Sequence, residues 1–305
     1  MSTQQDKPNK TGHSKSFLDT SVLRPLLTGT KYYKEYLNST FGTNRVYLNQ
    51  YVLMEFRRSL YLDLLTLYTV LNNPTISTLG DAYNHLSNAY GRTPGTLLQT
   101  IGSLQPFFQN QRIDFSKPEH KQSARIAIAK YLKRLEAKLV EKSDTGNDRT
   151  HCGRALKPNF DKQSDDDALE DFFSKFNDVN TCRSKCSIDA FVIQTFKSRV
   201  EKIVTESNQI TQSSQNKSFR DIAQSLKSIL DRNGANCTCH KCASIGDAVI
   251  ALSCPEDMIL EHTDNSFNGL CRALNTYHRH LDSDSSVLNQ INAGTAPTPP
   301  QPRQG

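Results

Sequence analysis

Apolar and polar residues fall in blocks along the chain, and the spacing within each block predicts a mixed α/β organisation. Ser16-Phe17-Leu18-Asp19 is a short apolar run ending in an acid, the pattern of a buried strand. A polar, Tyr-rich helix is expected at about Lys31–Asn38, then a second strand, Val46-Tyr47-Leu48, running into a helix through Tyr51–Leu67. Near the other end a helix opens at Ser244-Ile245-Gly246-Asp247 and carries Ala248, Val249, Ile250 and Ala251 toward a core. Met258–His262 reads as a strand leading to Thr263-Asp264, and Val287–Ile291 is the candidate for a last strand. Strands alternating with helices favour a sheet with parallel strands.

Between these ends the pattern changes. Residues 70–235 show almost no strand signal. The clearest helix is Gln122–Lys142, where Ile128, Leu132, Leu135 and Leu139 recur at helical spacing. Further helices are expected at Leu79–Ala89, Thr96–Leu104, Ala168–Phe176, Ile188–Glu206 and Phe219–Asp231, with polar breaks at Ser143–Asn147 and Thr211–Lys217. The expected organisation is therefore an α/β domain built from 16–69 and 236–292, interrupted by an all-helical insertion at 70–235. Residues 1–15 and the Pro-, Gly- and Gln-rich 293–305 are expected to be disordered tails.

Composition narrows the function classes. No stretch approaches the roughly 18 uninterrupted apolar residues of a membrane span, and the first residues carry no secretory pattern. A soluble, cytoplasmic protein is the expectation. The formal charge of +6 is compatible with a polyanionic partner but weaker than a nucleic-acid-coating protein would carry. There is no phosphate-binding or dinucleotide glycine pattern, and nothing suggests a Ser or Cys triad.

Four acids occupy special points of the α/β segments. Asp19 and Asp264 end strands, Asp247 opens a helix, and Glu55 lies within one. In open sheets with parallel strands, sites form at the carboxyl ends of strands, so Asp19 and Asp264 should project into one crevice. Crowded carboxylates repel, a bound cation relieves the repulsion, and all-oxygen ligation selects Mg²⁺ or Mn²⁺ over zinc or copper. Taken singly, an acid at a strand end is more often a turn or cap residue.

In this order the segments resemble the PIN-domain nucleases. Phe17-Leu18-Asp19-Thr20-Ser21-Val22 is similar to their opening strand, and Val46-Tyr47-Leu48 through Glu55-Phe56-Arg57-Arg58 to the second strand and the helix bearing the Glu. Gly246-Asp247-Ala248-Val249-Ile250-Ala251 resembles the helix start with the third acid, and Leu260–Phe267 the segment with the fourth. The resemblance implies a PIN-like three-layer fold with a central, mostly parallel sheet. It also implies metal-dependent endonucleolytic cleavage, most often of RNA, with Asp19 and Asp264 as direct ligands and Glu55 and Asp247 as ligands directly or through water. Thr20, Ser21 and Thr263 would orient those carboxylates by donating hydrogen bonds. A toxin of a toxin–antitoxin pair is one setting, in which a small antitoxin-like protein would cover the crevice. A DNA-directed nuclease with the same carboxylates, or a PIN-like scaffold without turnover, are the alternatives. Members are usually compact, whereas here 70–235 intervenes. Many carry a further acid after the fourth, where this chain has Asn265 and Ser266, so a second metal position stays open. A decoy of the third segment, Ile188-Asp189-Ala190-Phe191-Val192-Ile193, lies inside the insertion, with no strand signal before its downstream partner.

Three further features stand apart. Lys130, Arg134, Lys138 and Lys142 recur every four residues on the best helix, either a phosphate-tracking stripe or an ordinary solvated face. Asp165-Asp166-Asp167 with Glu170 and Asp171 reads as a helix N-terminus. Of eight cysteines, Cys237, Cys239 and Cys242 with His240 cluster, Cys182 and Cys186 form a second pair, and His151-Cys152 are nearby candidates. These fit structural zinc or unliganded thiols equally, while Cys254 and Cys271 read as small core residues.

Overall fold

The computed structural model describes residues 15–42, 44–78, 80–82, 84–85, 114–145, 165–180, 188–209, 217–234 and 244–304. The chain enters the sheet at β1 (Lys15–Leu18), where Phe17 and Leu18 are buried. Two helices follow, α1 (Thr20–Thr28) and α2 (Lys31–Phe41), then β2 (Val46–Leu48), with the bounds its apolar triplet predicts. Asn49 caps the next helix by accepting from the Val52 amide at 2.7 Å. That helix, α3 (Gln50–Leu71), is buried on most of its circumference, including Leu60, Leu64, Leu67 and Leu71, as expected for a helix at the centre of a core.

The helical region follows: α4 (Pro118–Lys142), α5 (Asp165–Asn180), α6 (Ile188–Gln209) and α7 (Lys217–Asp231). It also contributes β3 (Ser143–Thr145), a strand at the sheet edge where the sequence predicts only a polar break. Ser-Asp-Thr has no apolar pattern to betray it. What holds it is Arg45, whose guanidinium donates to the Ser143 carbonyl at 2.6 Å and pairs with Asp144 at 2.7 Å. The helices expected at Thr96–Leu104 and over most of Leu79–Ala89 lie outside the described residues. The run Asp165–Asp167 does begin a helix.

The α/β pattern resumes with α8 (Gly246–Ser253), β4 (Met258–His262), α9 (Ser266–Leu274), β5 (Tyr277–His280), α10 (Asp284–Asn292) and β6 (Arg303–Gln304). Two expectations fail here. Val287–Ile291 lies in α10, capped by Ser283 accepting from the Ser286 amide, and its apolar residues follow helical spacing. The strand is instead Tyr277-His278-Arg279-His280, invisible to an aliphatic search because histidines supply the buried face. The tail expected to be disordered from 293 onward ends in β6, which pairs antiparallel with β5. The matching expectation for residues 1–14 lies outside the described residues, and Lys15 belongs to β1.

Among the described residues the sheet runs β3-β2-β1-β4-β5-β6, parallel throughout except for β6. From β1 the chain proceeds outward to β2 and β3 on one side, then returns to β4 and β5 on the other. The strand order therefore reverses between β1 and β4, and the crevice at their carboxyl ends is the switch point where α/β sheets place ligands. One hydrophobic core takes in residues from both ends of the chain and from 118–229. Arg57 of α3 pairs with Glu136 of α4 at 2.7 Å, and Tyr61 donates to the same carboxylate. Cys254 and Cys271 are buried free thiols. No helix among the described residues is long and apolar enough to cross a membrane.

Candidate active site

Asp19 stands one residue beyond β1, in extended backbone conformation, as the N-cap of α1. Its amide continues the sheet by donating to the Glu261 carbonyl of β4 at 3.0 Å. Its carboxylate accepts from the Ser21 amide at 3.0 Å and from the Ser21 hydroxyl. Asp19 is thus a capping residue and a switch-point residue at once. Glu55 lies in the second turn of α3 and accepts from the Thr20 hydroxyl at 2.7 Å, which ties it to the start of α1.

Asp247 sits in the first turn of α8, where the helix dipole favours a negative charge. Gly246 makes this placement possible. A Cβ built there would lie 2.6 Å from the Tyr51 hydroxyl, so only glycine lets α8 approach the start of α3 so closely. Asp264 follows β4 and accepts from the Ser266 amide at 2.9 Å, while the Ser266 hydroxyl donates to Asp247 at 2.6 Å. Ser266 therefore bridges the third and fourth acids. From sequence alone it counts only as a missing acid, although a Ser at a helix start two residues after Asp264 is itself a signal.

The Thr263 hydroxyl has no such role among these contacts. Its backbone amide donates to the Ser21 hydroxyl at 3.2 Å, and its carbonyl lies 3.0 Å from His280 Nε2. Thr263 fastens the end of β4 to the start of α1 through its backbone rather than its side chain. Behind it, His262 stacks on His278 with centroids 5.3 Å apart. Burial, followed by neighbouring imidazoles, pushes His262 down to about 3. Burial with the Arg303 and His280 charges pushes His278 down to about 4. Both rings are neutral at physiological pH and serve as packing beneath the loop.

Electrostatically the acids form one group. Burial raises Asp19 from 3.8 to about 7, and the charges of Asp247 and Glu55 add to the rise against the Ser21 hydrogen bonds. Glu55 is raised by burial and by Asp247. Asp247 is raised by burial and by Asp264. Asp19, Glu55 and Asp247 therefore each feel another of the acids, and none of the four forms an ion pair among the described residues. Arg58 is a cation whose charge acts on Glu55. Asp189, the decoy, is buried on α6 with Arg232 3.7 Å away, and its charge is not among those that raise Asp19, Glu55 or Asp247. The cysteine–histidine clusters at 151–152, 182–186 and 237–242 lie outside the described residues.

The donor chemistry fits a hard divalent cation: oxygen ligands only, net negative, partly buried, with mutual repulsion that a cation would relieve. Among the described residues no group of three His, Cys, Asp or Glu side chains stands ready to hold one ion as positioned. Compared with protein-family models, curated proteins and solved structures, the chain finds no match in any of the three.

Proposed function

We propose that the protein is a PIN-like, Mg²⁺- or Mn²⁺-dependent nuclease acting on RNA through Asp19, Glu55, Asp247 and Asp264. The observation that carries this reading is the gathering of the acids at a sheet switch point, where Asp19, Glu55 and Asp247 each feel another of them and Ser266 bonds to both Asp247 and Asp264, with no ion pair among the described residues to neutralise them. A scaffold has no use for that repulsion, and a structural carboxylate cluster ordinarily comes with its own lysine or arginine partners.

Asp19, Glu55, Asp247 and Asp264 would hold the cation. When bound, it supplies polarisation of a scissile phosphate and a lowered pKa for attacking water. The chain's own contribution is positional. Ser21 fixes Asp19, Thr20 fixes Glu55, and Ser266 orients both Asp247 and Asp264. Partial burial limits water in the crevice and strengthens each charge there. Asp19 holds a proton up to near-neutral pH and yields it when positive charge arrives.

The test is cleavage of labelled RNA and DNA oligonucleotides with Mg²⁺, Mn²⁺ or EDTA. Asp19→Asn keeps the shape of the side chain and removes its charge, so cleavage should fall by orders of magnitude with the fold intact. Cleavage of DNA but not RNA would transfer the reading to a DNA nuclease. Undiminished cleavage by Asp19→Asn would remove that residue from the mechanism.

A further inference from the structure

A cleft of about 650 Å³ opens between α1, α2 and α10. It borders the acids through two of its lining residues. Ser21 holds the Asp19 carboxylate with its amide and hydroxyl, and Thr263 precedes Asp264 and donates its amide to the Ser21 hydroxyl at 3.2 Å. The rims are tied together. Thr30 donates its hydroxyl to Asp284 of α10 at 2.7 Å, and Tyr33 of α2 donates to the Asp282 carbonyl at 2.7 Å. Pro25 of α1 and Leu288 of α10, both half-buried, make the walls apolar, and the buried Tyr33 ring lies beneath them. Apolar walls carrying a few fixed polar groups, around a space of this volume, are the usual make-up of a small-ligand site.

Arg24 is the cation among the lining residues, one turn along α1 from Ser21. Its Nη2 donates to Asp63 of α3 at 2.9 Å, and that carboxylate is buried behind it. No other hydrogen bond of this guanidinium falls among the described residues, and its side chain keeps 22% of its surface exposed. A guanidinium anchored by one carboxylate is held in place and still has N–H groups to offer an anion.

We infer that the cleft binds one nucleotide of the substrate strand, next to the scissile phosphate, with the base between Pro25 and Leu288 and its phosphate on Arg24. The inference rests on the nuclease reading and adds a subsite to it. Every base has an apolar face that packs against such walls whatever its sequence, and Arg24 meets the one charged group a nucleotide within a strand carries. Arg24 is thus a positioning residue, since it sets where the strand lies and touches no reacting atom.

The experiment is fluorescence anisotropy in EDTA, where no cleavage intervenes, with labelled A12, U12 and C12 ribo-oligonucleotides and an abasic strand of the same length. Homopolymers make the result independent of register. Wild type should bind at least one homopolymer tenfold or more tighter than the abasic strand. Leu288→Glu should cut that ratio at least fivefold, whereas Asn289→Glu, an exposed position of α10 outside the cleft, should leave it within about twofold. The neutral pair Arg24→Gln with Asp63→Asn leaves no buried charge unpartnered. It should weaken base-bearing and abasic strands alike and lower the salt slope by about 0.7, the contribution of one phosphate contact on a single strand. Circular dichroism verifies folding, and Leu288→Gln decides the question if Leu288→Glu misfolds. Three outcomes would overturn the subsite: wild type not preferring bases, equal effects of Leu288→Glu and Asn289→Glu, or an unchanged salt slope in the neutral pair. Base-dependent binding through Leu288 without metal-dependent cleavage would sink the nuclease reading and leave the subsite standing. Metal-dependent cleavage with base binding indifferent to Leu288 would do the reverse.

Discussion

Asp19 carries the largest testable consequence of any single residue. Its folded-state pKa, about 7, lies above its ordinary 3.8 because burial and two neighbouring acids outweigh the Ser21 hydrogen bonds. Between those values the folded protein binds more protons than the unfolded chain, so stability falls as pH rises through that window. Below about 4 the residue is neutral in both states and the penalty disappears. Asp19→Asn cannot ionise and escapes the penalty. In EDTA at pH 8 it should melt higher than wild type by about 3 °C, equivalent to roughly 2 kcal/mol in a chain this long. The advantage should shrink to nothing near pH 4, and a variant less stable than wild type at both pH values would mark Asp19 as an ordinary cap. The same protonation governs the cation. Mn²⁺ binding to wild type at pH 6 should release about one proton, falling toward none above pH 8. Calorimetry in two buffers of different ionisation enthalpy reads this directly, and proton release independent of pH would separate Asp19 from the cation.

At the scale of elements, the site is an assembly of starts and ends: the end of β1, the start of α8, the end of β4, and a second-turn residue of α3. Gly246 sets the approach of α8 to α3. Gly246→Ala would drive a methyl to 2.6 Å from the Tyr51 hydroxyl. The expected cost is about 1–3 kcal/mol, the usual range for overpacking a close contact, with a loss of cleavage as Asp247 moves away from Glu55. Adding Tyr51→Phe removes the nearest atom and should restore part of both. A Gly246→Ala protein with unchanged melting temperature would show that α8 does not need the contact. Asp19, Asp247 and Asp264 stand out in the sequence because strand ends and helix starts are marked by changes in apolar period, whereas Glu55, inside α3, is drawn in by the family resemblance. The coupling of Asp247 and Asp264 through Ser266 is not legible, since a serine that both caps a loop and orients two acids looks like any polar residue. β5 escapes for a similar reason. Its buried face is built from His278, whose burial is invisible to a search for aliphatic alternation, just as β3 is held by polar contacts, Arg45 with Ser143 and Asp144 and the Ser143 hydroxyl with the Leu139 carbonyl, that no apolar pattern announces.

For the molecule as a whole, the sequence divides the chain at residues 70 and 235, a boundary drawn from the loss of strand signal. The structure attaches that region to the α/β body through β3, through α4, and through α6 and α7, which pack against α8 and α9, with Arg199 donating to the Leu252 carbonyl at 2.6 Å. β3 completes the edge beside β2, and α4 lies against α3 through the Arg57–Glu136 pair. A chain in which residues 72–235 are replaced by a short Gly/Ser linker would expose the β2 edge, an open template for aggregation. It would also uncover part of the apolar surface of α3 and leave Arg57 without its carboxylate. Breaking a largely buried pair from one side alone ordinarily costs about 3–5 kcal/mol, a large part of the roughly 5–15 kcal/mol that holds a typical domain together. The deletion is therefore expected to give an aggregating or non-cooperatively melting product, even though it retains all four acids. Restoring residues 114–145 to that chain, with α4 and β3, should recover only part of the stability, because the edge strand and the partner of Arg57 return together while the faces of α8 and α9 that α6 and α7 cover stay exposed. Circular dichroism melts of the two deletion proteins beside the full chain decide the matter. A sharp cooperative transition in the shorter one would mean that 72–235 is a detachable insertion, as the apolar pattern alone predicts, and that β3 and α4 decorate an α/β body able to stand without them.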